Sequence, residues 1–269
     1  MLIKSIRYCF LLLGFLSLSA SLFAQKSLYY QLRGDTEGDT DVLKPRIDQV
    51  VVRLQRQQKN DPKFIQLVFE TLHRKFLKQY RPYVDFHELQ NGTYDCLTAT
   101  SLFAVVLADL NISYQIIETN YHVFLLAQWK SSKVLIETTD RLNGLVFDKT
   151  ELEKRIRGYR DNQLATQPVG DKQQYAFGFK LFQPILPAEL PGLLHFNKAV
   201  NFYNAGNWRA SMHHIALMRQ SYASPRTAAL SALLAETVSM SCLPEAEKET
   251  IVRQLFQGAT ASAAPVAVR

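Results

Sequence analysis

The sequence predicts an α+β protein: a buried helix packed on an antiparallel sheet, followed by a smaller helical segment. Three observations carry this. An apolar stretch after Asp95 has the length and spacing of a helix buried on most sides, with Leu97, Leu102, Phe103, Val106, Leu107 and Leu110 on its face and Ala99, Ala104 and Ala108 between. Three short segments rich in β-branched and aromatic residues follow, Tyr114–Glu118, Tyr121–Trp129 and Lys133–Thr138. Beyond a cluster of prolines at 184, 187 and 191, the chain reads as helices through Phe256.

In chain order, residues 1–24 have the three parts of a cleavable export signal. Lys4 and Arg7 supply positive charge, Tyr8 to Leu18 the apolar core, and Ser19, Ala20, Ser21 and Ala24 the small exit residues. The apolar run is shorter than the roughly 20 residues of a spanning helix. Cys9 lies inside it with no Leu-x-x-Cys pattern near the exit, which argues against lipidation. Cleavage is expected after Ala24, giving a mature chain with no transmembrane segment, in the periplasm or outside the cell. The net charge is +7, or +5 without Lys4 and Arg7. No basic block is interleaved with aromatics, so nucleic acid is not an expected partner.

The acids Asp35, Glu37, Asp39 and Asp41 resemble a calcium loop superficially. An EF-hand begun at Asp35 needs Gly at its sixth position and Glu at its twelfth, where Thr40 and Arg46 stand, so a solvated arm is expected. Ile47, Val50, Val51 and Leu54 mark an amphipathic helix within 42–59. Asp61-Pro62 opens a second helix, with Asp as N-cap and Pro in the first turn, whose face runs from Phe64 to Phe76 and which stops before Pro82. An irregular stretch through His87 to Gly92 precedes the buried helix, which Asn111 ends. Lys130-Ser131-Ser132 reads as a hairpin turn. A polar helix follows from Asp148 to Arg157, then a strand over Tyr175–Phe182, and the prolines read as a linker. The main domain is expected over 25–183, the helical segment over 192–257, and a disordered tail over 258–269.

One constellation carries chemistry. Cys96 begins the buried helix, with Asp95 as its N-cap, where unpaired N–H groups and the helix dipole favour a thiolate. His122 begins a strand downstream, and Glu137 and Asp140 lie at the far end of the neighbouring strand. A hairpin of those strands brings His122 beside an acid, the arrangement a cysteine nucleophile needs. A one-residue slip in register switches which acid faces the imidazole, so both stay open. No Cys-x-x-Cys, His-Glu-x-x-His or glycine-rich phosphate loop is present, so neither a metal nor a cofactor is expected. The export signal raises a rival for Cys96, a disulfide with Cys242.

Asn91-Gly92-Thr93-Tyr94-Asp95-Cys96 and its helix resemble the nucleophile helix of the transglutaminase-like superfamily. Leu110-Asn111-Ile112-Ser113-Tyr114 resembles that family's turn out of the helix, Tyr121-His122-Val123-Phe124 its histidine strand, and Leu135-Ile136-Glu137-Thr138-Thr139 its acid strand. Asn143-Gly144-Leu145 and the helix near Thr150–Ile156 are similar to the SirB1-like branch. The resemblance covers about residues 60–160. It implies a papain-like core and a Cys-His-acid triad of Cys96, His122 and Glu137, with Asp140 the second candidate acid. The family more often has Asp at the acid, and a small residue where Tyr121 stands. The backbone N–H of Cys96 is one expected oxyanion donor, and the side chain of Gln90 or Asn91 another.

The implied activity is a cysteine hydrolase or acyl transferase acting on a peptide or glutamine amide, with a peptide or protein as substrate. The alternative is a non-catalytic scaffold on the same fold. Ala199, Phe202, Tyr203, Gly206, Trp208 and Ser211 resemble the first helix and turn of a tetratricopeptide repeat, which implies a protein partner on the C-terminal helices; one such unit cannot bury its face alone, so a helical cap packed on the main domain is the alternative. His213 and His214 are adjacent and point to different faces, which argues against a shared metal.

Overall fold

A computed structural model describes residues 28–34, 40–58, 63–161 and 181–256. The export signal, Asp35 to Asp39, the Asp61-Pro62 helix start, most of the 175–182 strand and the 258–269 tail lie outside the described residues. The chain divides into two compact units. One takes in Met1–Glu118, His122–Arg157 and Gln183–Pro187, the other Thr119–Tyr121, Gly158–Phe182 and Ala188–Arg269.

The first unit is α+β. Helix α1 covers 28–33, and its buried Tyr29 donates through Oη to Asp41 at 2.8 Å. Helices α2 (Leu43–Gln57) and α3 (Lys63–Phe76) bury the apolar stripes their spacing predicts, Ile47, Val50, Val51 and Leu54 on the first, Phe64, Ile65, Val68, Phe69, Leu72 and Phe76 on the second. Helix α3 ends at Phe76, and a short strand β1 (Gln79–Tyr80) fills the interval before Pro82. The 86–91 stretch is a 3-10 helix rather than irregular chain. Gly92 ends it at φ 84°, a left-handed conformation that glycine adopts without steric cost. Strand β2 (Thr93–Tyr94) then pairs in parallel with β1 and runs into helix α4 (Cys96–Asp109).

Every residue of α4 from Leu97 to Leu107 is buried. Each large apolar side chain there contributes roughly 1.5–3 kcal/mol by leaving water, which makes α4 the centre of the core. Asn111 reverses the chain at φ 55°. Strands β3 (Tyr114–Thr119), β4 (Val123–Trp129), β5 (Ser132–Ile136) and β6 (Leu145–Val146) follow. The pairs β3–β4, β4–β5 and β5–β6 are antiparallel. With β7 (Phe182–Ile185) the sheet order is β6-β5-β4-β3-β7, and α4 packs on β4 at its centre. Pro184, expected in a linker, lies in β7, an edge strand where a missing N–H is tolerated. Helix α5 (Lys149–Asp161) is polar, with a Glu151–Arg155 ion pair at 3.2 Å.

Among its described residues the second unit holds helices α6 (Leu190–Asn204), α7 (Trp208–Met218), α8 (Pro225–Met240) and α9 (Glu245–Phe256). Pro191 and Pro225 sit in the first turns of α6 and α8, where a proline forfeits no helical hydrogen bond. Ser224 and Asn207 cap α8 and α7. Ser211 on α7 donates to the carbonyl of Ala199 on α6 at 2.8 Å. Arg226 lies over the Phe196 ring and donates to the carbonyl oxygen of Asn120 at 3.0 Å.

Candidate active site

Asp95 sets the start of α4. Its carboxylate accepts from the Thr98 backbone N–H at 2.8 Å and from the Thr98 hydroxyl at 2.9 Å, while its own N–H donates to Thr98 Oγ1 at 2.9 Å. This reciprocal cap satisfies helix-end donors that would otherwise be buried without partners. The carboxylate also accepts from the Val84 N–H at 3.3 Å. Burial pushes the Asp95 carboxyl up, against the pull of these hydrogen bonds. Cys96 follows at the first helical position, half-buried, with a free thiol.

The β4–β5 hairpin closes through Trp129 and Ser132, with Lys130 at φ 54° in the turn. Its register pairs Leu125 with Ile136. Continued one step, that register sets Glu137 opposite Phe124, on the sheet face that His122 shares by the two-residue alternation of a strand. His122 itself lies just before β4 rather than inside it, and Glu137 just after β5.

His122 Nε2 is hydrogen-bonded to Glu137 Oε2. Its imidazole is also hydrogen-bonded to the Cys96 side chain. Burial draws the imidazole pKa down, but the hydrogen bonds and charges of Cys96 and Glu137 outweigh it, and the value is pushed up to about 10. Burial raises the Glu137 carboxyl, and His122 with Thr139 more than reverses this, holding it below the usual carboxylate range. Glu137 is 4% exposed and keeps its other oxygen on Thr139, accepting from the N–H at 3.1 Å and from the hydroxyl at 2.7 Å.

Asp140 is placed differently. Its carboxylate accepts from the N–H groups of Leu142 and Asn143 at 3.2 and 2.9 Å and lies 3.8 Å from Arg155. It caps the turn between β5 and β6. Gly144 closes that turn, donating to the Asp140 carbonyl at 2.8 Å and accepting from the Glu137 N–H at 2.7 Å. A Cβ on Gly144 would stand 2.1 Å from the Glu137 carbonyl oxygen and 2.2 Å from that of Asp140.

Gln90 is half-buried, and its carbonyl accepts from Arg46 at 2.6 Å; Asn91 is exposed at the end of the 3-10 helix. Among the described residues, no hydrogen bond joins either side chain to Cys96 or His122. Threonines that sequence reasoning passed over take the supporting role. Thr100, one turn after Cys96, donates to the Val123 carbonyl at 3.2 Å and meets the Thr138 hydroxyl at 3.2 Å. The hydroxyls of Thr98, Thr100 and Ser101 in a largely apolar helix were the available signal, because most buried polar groups take a partner.

Both described cysteines, Cys96 and Cys242, are free. Among the described residues, no three His, Cys, Asp or Glu side chains are grouped to hold a metal ion, and no helix is long and apolar enough to cross a membrane. His195 and His214 in the helical unit meet through their Nδ1 atoms at 3.1 Å. The chain is thus an α+β protein with a Cys–His–Glu cluster where a buried helix meets a hairpin. No protein-family model, no curated protein and no solved structure matches the chain.

Proposed function

We propose that this protein is an exported cysteine-dependent hydrolase or acyl transferase of the transglutaminase-like kind, acting on a peptide or glutamine amide. The observation that carries the reading is His122, hydrogen-bonded to Cys96 on one side and to Glu137 on the other. A papain-like core accords with a thiol at the start of a central buried helix and an imidazole and acid at the ends of adjacent antiparallel strands. Export rests on the N-terminal pattern of charge, apolar core and small residues.

In the proposed reaction the Cys96 sulfur attacks the amide carbonyl carbon while the imidazolium of His122 faces it. The C–N bond breaks, the departing nitrogen takes its proton from His122, and a thioester remains on Cys96. Water or an amine then attacks the thioester and gives its proton to His122. The C–S bond breaks, releasing an acid or a new amide and restoring the cysteine. Glu137 holds the imidazole in one orientation and balances its charge. The N–H of Cys96, which the Asp95 cap leaves unused, is the donor proposed for the carbonyl oxygen.

Iodoacetamide labelling at pH 7, read peptide by peptide by mass spectrometry, tests the site. Cys96 should react faster than glutathione, and His122→Ala should bring it down to the glutathione rate. Incubation with dimethylcasein and dansylcadaverine separates the two outcomes: incorporated dye marks acyl transfer, new amino termini mark hydrolysis, and Cys96→Ala should abolish either. A Cys96 no faster than glutathione, with neither product formed, would leave the scaffold reading in its place.

A further inference from the structure

The stretch between α3 and α4 is fixed by backbone hydrogen bonds. Gln79 donates to the Gly92 carbonyl at 3.0 Å, Arg81 to that of Tyr94 at 2.9 Å, and Val84 to the Asp95 carboxylate at 3.3 Å. Residues 79–81 therefore lie along the strand that runs into Cys96, and the turn at 82–83 is held at its far side by Val84. Tyr80 pairs with Tyr94, two residues before Cys96, and their rings meet edge to face at 5.8 Å.

The side chains on this held backbone are turned outward: Tyr80 is 54% exposed and Tyr83 40%. A fold gains little by presenting aromatic rings to water on a rigid segment, whereas a binding surface gains rigid contact area at low entropic cost. Tyr83 also has φ 59°, in the left-handed region that bulky residues avoid. Such strain persists where surrounding structure imposes it, and it clusters at ligand sites. Tyr80 senses the candidate nucleophile: burial, then the charges of Cys96 and Asp95, push its phenol up to about 12, so it is neutral in ordinary buffers. Arg81, the charged side chain of this stretch, is paired with Glu88. The two rings thus offer planar contact area, and the Arg81 charge between them is already matched.

We infer that Tyr80 and Tyr83 form an aromatic subsite beside Cys96 that selects peptide substrates carrying an aromatic side chain next to the scissile amide. The inference rests on the reading of Cys96 as nucleophile and adds the substrate class.

The test compares two alkylating probes, iodoacetamide and N-phenyl iodoacetamide, each normalised to its rate with glutathione and scored at Cys96 by mass spectrometry. The phenyl reagent should hold an advantage of about five- to tenfold, the size expected of one stacking contact. The advantage should vanish in the Tyr80→Ala, Tyr83→Ala double variant and survive in the corresponding Phe variants. In the unaltered protein, N-acetylphenylalanine amide should slow labelling of Cys96 more than N-acetylglycine amide does, which decides the matter even if the Ala variant fails to fold. Fast iodoacetamide labelling with no phenyl advantage and no selective protection would overturn the subsite and leave the nucleophile standing. Slow labelling by both probes would remove the nucleophile as well.

Discussion

The Thr100 hydroxyl donates to the Val123 carbonyl at 3.2 Å, tying the helix that begins at Cys96 to the residue directly after His122. The same oxygen meets Thr138, directly after Glu137, at 3.2 Å. One side chain therefore joins the three segments that carry the candidate triad. Thr100→Val keeps the shape and removes the hydroxyl. It should cost about 1–3 kcal/mol in urea unfolding, because Val123 and Thr138 lose a buried partner. Labelling of Cys96 by iodoacetamide should slow. Unchanged stability and labelling would show that the tie is not what positions the hairpin.

Glu137 and Asp140 should separate cleanly. Glu137→Gln removes the carboxylate charge from His122, and the imidazole pKa, followed by NMR, should fall from about 10 toward the ordinary 6.5. Asp140→Asn loosens only the Leu142–Asn143 turn and the contact with Arg155. It should leave the His122 titration in place, and an equal shift in both variants would contradict this assignment.

Acid stability should depend on His73, which is 1% exposed, packs against Phe69 and Phe103, and whose ring nitrogens have no hydrogen-bond partner among the described residues. Burial, with help from the charge of Arg141 and against that of Asp140, lowers its pKa to about 4. The unfolded chain then binds the extra proton between about 6.5 and 4. His73 therefore costs no stability above pH 6.5, and roughly 3 kcal/mol is lost as the pH falls to 4. His122 acts oppositely: its folded pKa is raised, so its contribution is complete below 6.5 and disappears as the pH rises through about 10. Urea midpoints at pH 7, 5 and 4 should converge in His73→Leu relative to the unaltered protein; an identical acid slope in both would refute the assignment.

Two glycines should respond in opposite ways to alanine. Gly144→Ala drives a Cβ into the carbonyl oxygens of Glu137 and Asp140, so the turn must open. A loss of more than about 2 kcal/mol is expected, with slower Cys96 labelling because Glu137 is displaced. Gly158→Ala in α5 meets nothing within 4 Å and should gain about 0.5–1 kcal/mol from the better helix former. Thermal unfolding of the two variants checks both signs.

Much of this fold was legible because local patterns agree with it. The apolar residues of α2, α3 and α4 recur at helical spacing, and those three helices bury them. Asp95 reads as a cap and acts as one. The prolines at 184 and 191 misled, since a proline that breaks a helix interior is equally at home on a sheet edge or in a first turn. The resemblance put Glu137 before Asp140, but hairpin geometry alone could not rank them, because register has a period of two and the turn that sets it leaves little trace in composition. Gln90 and Asn91 lie at the end of a 3-10 helix closed by a left-handed Gly92, a local geometry that residue type alone does not reveal.

By itself the sequence determined the α+β class, the central buried helix with Cys96 at its start, and the presence of a histidine and two acids at the ends of neighbouring strands. These follow from periodicity and capping, which act over a few residues. Only the tertiary structure decided that Glu137 rather than Asp140 meets His122, that threonines 98, 100, 138 and 139 support the cluster, and that Tyr80 and Tyr83 stand exposed. Those choices depend on strand register and on contacts spanning up to 38 residues of chain, and they are made when the hairpin docks on the helix.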